Sequence, residues 1–217
     1  MAIKFHSRVM RKAMLLGLRL HRNIKGVAAL EFALIVPLLF MMLLGTFEFG
    51  TALTVDRRVS KVAGSIADLV SRTDKVSDAQ LQFMGNQIAK SMMVPYDFSK
   101  MQVNIVQVKA DINNASNTTV NWSSSFKNGS PIASPYAKGA AFTMPVGLMG
   151  AGTYMVIAQV TYDYTPLIFS RADSQALTGS PEMSPGAYTM TETFYMSPRT
   201  KACVSLNNIN CVTGNPF

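Results

Sequence analysis

Hydrophobic residues form one long, almost uninterrupted run near the start of the chain. Residues 27–55 carry only two charged side chains, Glu31 and Glu48, among Leu, Ile, Val, Met and Phe. A helix needs about 20 apolar residues to cross ~30 Å of bilayer hydrocarbon. The run therefore predicts a transmembrane helix over residues 27–55.

Apolar residues then recur three or four positions apart, the spacing of one helix face. They are Val59, Val62, Ala63, Ile66, Leu69 and Val70. A second helix is expected to begin at Ser77 and to end before Pro95. Residues 56–94 are thus predicted to form an amphipathic stalk and a second helix. The apolar stripe of the stalk is covered either by the rest of the chain or by helices of neighbouring subunits.

Strand patterns follow in the second half of the chain, at residues 101–108, 118–123, 153–164 and 188–196. The clearest alternation is at 153–164, while Glu192 falls on the apolar parity of the last segment and marks a strand rim or weakens that prediction. Polar residues dominate 111–140 and 170–186, which are expected to be exposed loops. The fold class is α+β: a long N-terminal helix with a small antiparallel-sheet head at 95–217, long enough for one modest core.

The positive charge of the chain is concentrated in its first 25 residues. They hold seven Lys or Arg and no Asp or Glu, out of a net charge of +8. Because cytoplasmic flanks of membrane helices are enriched in Lys and Arg, residues 1–26 are expected in the cytoplasm and the head across the membrane. This leader forms a basic amphipathic helix or is disordered. A local excess of this kind argues against nucleic-acid binding.

Glu31 is out of place in the apolar run. A carboxylate inside a membrane segment costs free energy, so it calls for a cationic partner or for a position at the interface, towards which the side chain snorkels. Gly26 precedes it by five residues, and residues 32–39 and 45–50 continue the motif as FALIVPLL and GTFEFG. The order is basic leader, glycine, glutamate and apolar helix.

This motif closely resembles TadE-like proteins, pilin-like subunits of the tight-adherence (Tad or Flp) pilus. The resemblance is strong over residues 22–60. It implies that a prepilin peptidase recognises the leader, including Arg22 and Lys25, and cuts between Gly26 and Val27. It further implies a minor subunit, since the major subunit of such pili is very short. The expected partners are the peptidase, other Tad pilin-like subunits and the inner-membrane assembly machinery.

Cleavage would create an α-amino group at Val27, a cation near neutral pH. Val27 and Glu31 are four residues apart and share a helix face. The carboxylate of Glu31 can therefore meet the amine of its own chain or that of a packed neighbour. In the second case Glu31 is an assembly determinant.

Two cysteines, Cys203 and Cys211, lie near the C-terminus. In an oxidising periplasm they are expected to form a disulfide, with two free thiols or a redox role as the alternatives. Both histidines, His6 and His21, lie in the leader. The head therefore has no histidine for a Ser-His-Asp or Cys-His arrangement, and no zinc-site spacing occurs. We expect no catalytic residues, no metal and no cofactor, and hence no enzyme.

Two classes of function remain. The first is a minor pilin-like subunit of an adhesive filament, anchored in the bacterial inner membrane with a periplasmic head and able to enter the extracellular pilus. The second is an uncleaved single-pass membrane protein whose periplasmic head binds a ligand or cell-wall material. The mature N-terminus distinguishes them, because only the first requires the chain to begin at Val27.

Overall fold

The computed structural model describes residues 26–166, 188–207 and 211. The leader, with Arg22 and Lys25, and the loop predicted at 170–186 lie outside these residues. Helix α1 extends over Val27–Ser71 without interruption. The predicted continuation of the apolar helix into a stalk is therefore confirmed. The chain divides into two compact units, Met1–Phe49 and Gly50–Phe217.

The described part of the first unit is the N-terminal half of α1. Its large apolar side chains are exposed around the whole circumference, from Val27 and Leu30 through Phe40 to Phe47 and Phe49. The helix contains a window of mean hydropathy 2.5 of which no part is buried. By length and composition α1 can cross a membrane.

In the second unit, the described residues form the rest of α1, a second helix and seven strands. Helix α2 spans Asp78–Met93 and begins with the expected cap at Ser77. The strands are β1 (Lys75–Val76), β2 (Met101–Ala110), β3 (Thr118–Lys127), β4 (Ser130–Ile132), β5 (Tyr154–Tyr164), β6 (Tyr188–Met196) and β7 (Ser205–Leu206). The α+β class and the antiparallel sheet are as predicted.

Five of these strands form an antiparallel sheet in the order β4-β3-β2-β5-β6. Strand β2 lies at its centre, where Ile105 pairs with Ala158 of β5 and with Ser124 of β3. A separate two-stranded parallel sheet joins β1 to β7, so the C-terminal segment returns to the residues that follow α1.

The main core lies between one face of the sheet and the two helices. Helix α1 contributes a single stripe of fully buried residues: Val55, Val59, Val62, Ala63, Ile66, Ala67 and Val70. Leu69 was expected in this stripe but is partly exposed. The apolar stripe of the stalk is therefore covered within the chain, by α2 and by strands β2, β3, β5 and β6.

The opposite face of the sheet carries a second, smaller core. Val106, Val108, Val120, Met155 and Ile157 are buried there. Side chains of the connection after β4 cover them, namely Tyr136, Phe142, Met144 and Met149. The expectation that 111–140 is simply an exposed loop was wrong, because this stretch contains the whole of β3 and of β4. Strand β5 is consequently buried on both faces, although its sequence alternates.

Candidate processing and membrane-anchoring segment

Gly26 and Val27 lie at the start of α1. Gly26 is exposed, and Val27 is the first residue of the helix. A Cβ atom added to Gly26 would meet no atom within 4 Å. The described part of the chain therefore places no steric demand for glycine at this position. Cleavage after Gly26 would also leave all of α1 intact.

Glu31 lies in the second turn of α1 and its side chain is exposed. Among the described residues it makes no hydrogen bond and no ion pair, whereas Asp68 and Asp74 in the second unit are paired with arginine or lysine. Val27 precedes Glu31 by about one helical turn, so both project from the same face. The side chain is thus available to a cation supplied by its own N-terminus or from another molecule.

The remaining polar groups of the apolar stretch are largely satisfied within the helix. The hydroxyl of Thr46 donates a hydrogen bond of 2.8 Å to the carbonyl of Met42, so this donor is satisfied on an exposed, mainly apolar surface. Pro37 lies inside α1 and has no N–H to donate to the carbonyl of Ala33. The helix continues through this position, and such single losses are tolerated in membrane helices.

The C-terminal segment, residues 199–207, links the end of α1 to the start of α2. The backbone N–H of Arg199 donates to the carbonyl of Ser71 at 2.8 Å, and its guanidinium lies 3.0 Å from Asp68. The amide of Asn207 donates to Asp78, the first residue of α2, at 2.8 Å. These contacts could not be inferred from local sequence patterns, since the partners are about 130 residues apart.

A disulfide closes this segment by joining Cys203 to Cys211, with 6.0 Å between their Cα atoms. The neighbouring carbonyl of Val204 accepts a 2.8 Å hydrogen bond from Nε1 of Trp122, the largest fully buried side chain of the head. A buried indole N–H needs such a partner. Trp122 therefore belongs to the core, the default assignment for an aromatic residue in a strand.

Chemistry-bearing side chains are dispersed over the head. In the described ranges no group of three or more His, Cys, Asp or Glu is placed to hold a metal ion. Hydrogen bonds from Ser99 lower the pKa of the exposed Asp97 carboxyl, which caps a short 3₁₀ turn. Burial raises the pKa of the Tyr162 hydroxyl above its usual range. Both effects are accounted for by local folding.

The described residues thus form an apolar N-terminal helix, which is a candidate membrane anchor, followed by an α+β head. The sequence model of TadE-like proteins matches residues 26–68, which confirms the resemblance carried by Gly26 and Glu31. The match begins at Gly26, covers nearly all of α1 and leaves the strands outside. No curated protein and no solved structure matches the chain. Proteins of the TadE-like family are structural components of pili.

Proposed function

We propose that this protein is a minor pilin-like subunit required to assemble a Tad pilus, and that a prepilin peptidase processes it after Gly26. The observation that carries the proposal is the family match, which begins at Gly26. Helix α1 begins one residue later. The residue that would become the new N-terminus is thus the first residue of a helix able to cross a membrane.

Before assembly the protein is anchored in the inner membrane by α1, with its leader in the cytoplasm and its head in the periplasm. The basic leader supports this orientation, because Lys and Arg are retained on the cytoplasmic side. Arg22 and Lys25 take part in recognition by the peptidase. After processing, the other pilin-like subunits and the assembly machinery of the inner membrane receive the subunit, and it acts without catalysis or cofactor.

Glu31 directs assembly by pairing with the α-amino group that cleavage creates at Val27. The position of the residue supports this role, since its carboxylate is exposed and has no ion pair among the described side chains. A charge pair in a low-dielectric membrane is stronger than one in water. Pairing between subunits would also make assembly depend on prior cleavage.

The first experiment compares the same substitution at two glycines: Gly26, just before α1, and Gly45, inside α1. Gly26→Leu is expected to abolish removal of the leader, because the peptidase must approach the backbone closely at the cleavage site. Gly45→Leu is the matched control, since a Cβ atom added at Gly45 likewise meets nothing within 4 Å. Electrophoretic mobility of the membrane-fraction protein distinguishes the two forms. Normal cleavage of Gly26→Leu would overturn the proposed processing site.

The second experiment separates processing from assembly. Glu31→Ala is expected to insert into the membrane and to be cleaved like the native chain, yet to reduce the number of pili strongly. Insertion should be as good or better, because a carboxylate has been removed from an apolar segment. Leader removal is read by mobility and pili are counted by electron microscopy. Normal pilus numbers in this variant would contradict the charge-pairing role.

An uncleaved anchor with a ligand-binding head is the competing function. It predicts a chain that keeps its leader in the cell and phenotypes that do not respond to Gly26→Leu. A leader retained on the native protein would favour this second function.

A further inference from the structure

One end of the head is fixed directly to α1 by Arg58. Nη1 of this arginine donates hydrogen bonds to the carbonyl of Met92, at 2.8 Å, and to the carbonyl of Val94. Its guanidinium also lies 5.4 Å from the centre of the Tyr96 ring. The last carbonyls of a helix have no partner within it. Arg58 therefore caps the C-terminus of α2. It also holds residues 94–96 beside the part of α1 that contains Arg58.

This end of the head exposes apolar and aromatic surface. Val94 is 62% exposed, Pro95 is exposed, and Tyr188 is 47% exposed. Met101, at the start of β2, pairs with Tyr162 of β5. Two residues further along β5, Tyr164 pairs with Tyr188, so Tyr188 lies at the same end of the head. Tyrosine is enriched where membrane meets water, since its ring prefers an apolar environment and its hydroxyl a polar one.

Charges at this end are mixed. Arg57 is exposed and Lys100 is half-buried, while Asp97 and Asp163 are exposed carboxylates. Attraction to anionic lipid therefore contributes little net energy. Insertion of apolar and aromatic side chains at the level of the headgroups fits this composition better than binding to a purely charged surface.

We propose that this membrane-proximal end, formed by Arg57, Val94, Pro95, Tyr96 and Tyr188, lies in the headgroup layer of the bilayer that α1 crosses. The inference rests on the proposed membrane anchoring. Val55, where the apolar run ends, is the first fully buried residue of the head core, and the preceding Ala52 packs against that core. Because a helix rises 1.5 Å per residue, Arg58 follows Val55 by only about 4.5 Å along the axis. The head core therefore begins at the expected end of the apolar run, within the same helix.

Apolar exposure alone does not distinguish this end, because the opposite end of β2 also presents it. Val146 is 98% exposed, in a connection whose Gly152 N–H donates to the carbonyl of Asp111, just beyond β2. Ten residues of β2 separate the two ends by roughly 30 Å, at about 3.3 Å per residue. Only the end beside Arg58 is continuous with the apolar helix. Val94 and Val146 are therefore a matched pair for a test.

The experiment attaches a nitrobenzoxadiazole (NBD) fluorophore to single added cysteines in the full-length protein, reconstituted in phosphatidylcholine vesicles. The native cysteines form a disulfide and do not react without reductant. Val94→Cys and Tyr188→Cys report on the membrane-proximal end, Val146→Cys on the opposite end, and Leu38→Cys on the apolar run. Lipids that carry a nitroxide quencher near the headgroup are then added to the vesicle composition.

The proposal predicts blue-shifted emission and loss of fluorescence at positions 94 and 188, with no loss at 146. Quenching at 38, read with a quencher deeper in the acyl chains, reports membrane anchoring separately. Loss at 38 without loss at 94 and 188 would overturn the membrane contact and leave the anchor standing. A blue shift at 94 without lipid quenching would also overturn it, since the turn would then be covered by protein. No quenching at any position would remove the anchor as well.

Discussion

The two halves of α1 differ in apolar content, and the apolar side chains of each half have opposite surroundings. In the first half, apolar side chains point in every direction and meet no cover within the described chain. In the second half they form one stripe, from Val55 to Val70, against α2 and the sheet. In the first half no described neighbour restricts the shape of an apolar side chain, whereas in the second half each apolar side chain must fit a particular space in the core.

The largest expected effect comes from the same substitution made once in each half. Ile66→Ala should lower the free energy of unfolding of the head by about 2–5 kcal/mol, because Ile66 is 2% exposed and its removal leaves a cavity. Ile35→Ala should leave head stability unchanged, since Ile35 is 50% exposed and belongs to neither buried cluster of the described residues. Denaturant unfolding of the detergent-solubilised chain, followed by Trp122 fluorescence, measures both. An equal loss of unfolding free energy in both variants would contradict the distinction between the two halves of α1.

Much of this contrast could be predicted from the sequence. The length of the apolar run gave the span, and the spacing of Val59, Val62 and Ile66 gave the buried face of the stalk. Glu31 and Gly26 stood out because a charge and a helix-disfavoured residue border an otherwise apolar segment. These features are local, so a single stretch of sequence contains all the information.

The contacts that close the head could not be predicted in the same way. Arg58 caps a helix that ends more than 30 residues later, and Asn207 binds the start of that helix from near the C-terminus. Strands β1, β4 and β7 have two or three residues each and show no periodicity. Long-range register and such short pairings depend on the assembled core.

A second pair of variants compares glycines of the two regions. Gly85→Ala should destabilise the head by about 1–3 kcal/mol, because the new methyl group would overlap the buried ring of Phe126, with Cε2 only 2.7 Å away. Gly45→Ala has open space and should be neutral for head stability. Thermal unfolding of both variants provides the measurement. A neutral Gly85→Ala would mean that the Phe126 ring moves aside.

The smallest effect concerns the beginnings of the two helices. Helix α2 begins with a capping box. The Ser77 hydroxyl accepts a hydrogen bond from the backbone N–H of Gln80, and the side-chain oxygen of Gln80 accepts one from the backbone N–H of Ser77. The first turn of α1 has no acidic residue. Ser77→Ala should therefore cost about 1 kcal/mol of head stability, measured by denaturant unfolding. Ser77→Asp, which retains an acceptor, is the control and should recover most of the loss.

The most direct test of the account is the N-terminus of the native protein in the membrane fraction. Intact-mass analysis with N-terminal sequencing should give a chain that starts Val-Ala-Ala-Leu and is lighter than 23.6 kDa by the mass of residues 1–26. A chain that keeps Met1 or its neighbour, with the leader still attached, would contradict the assignment as a processed pilus subunit.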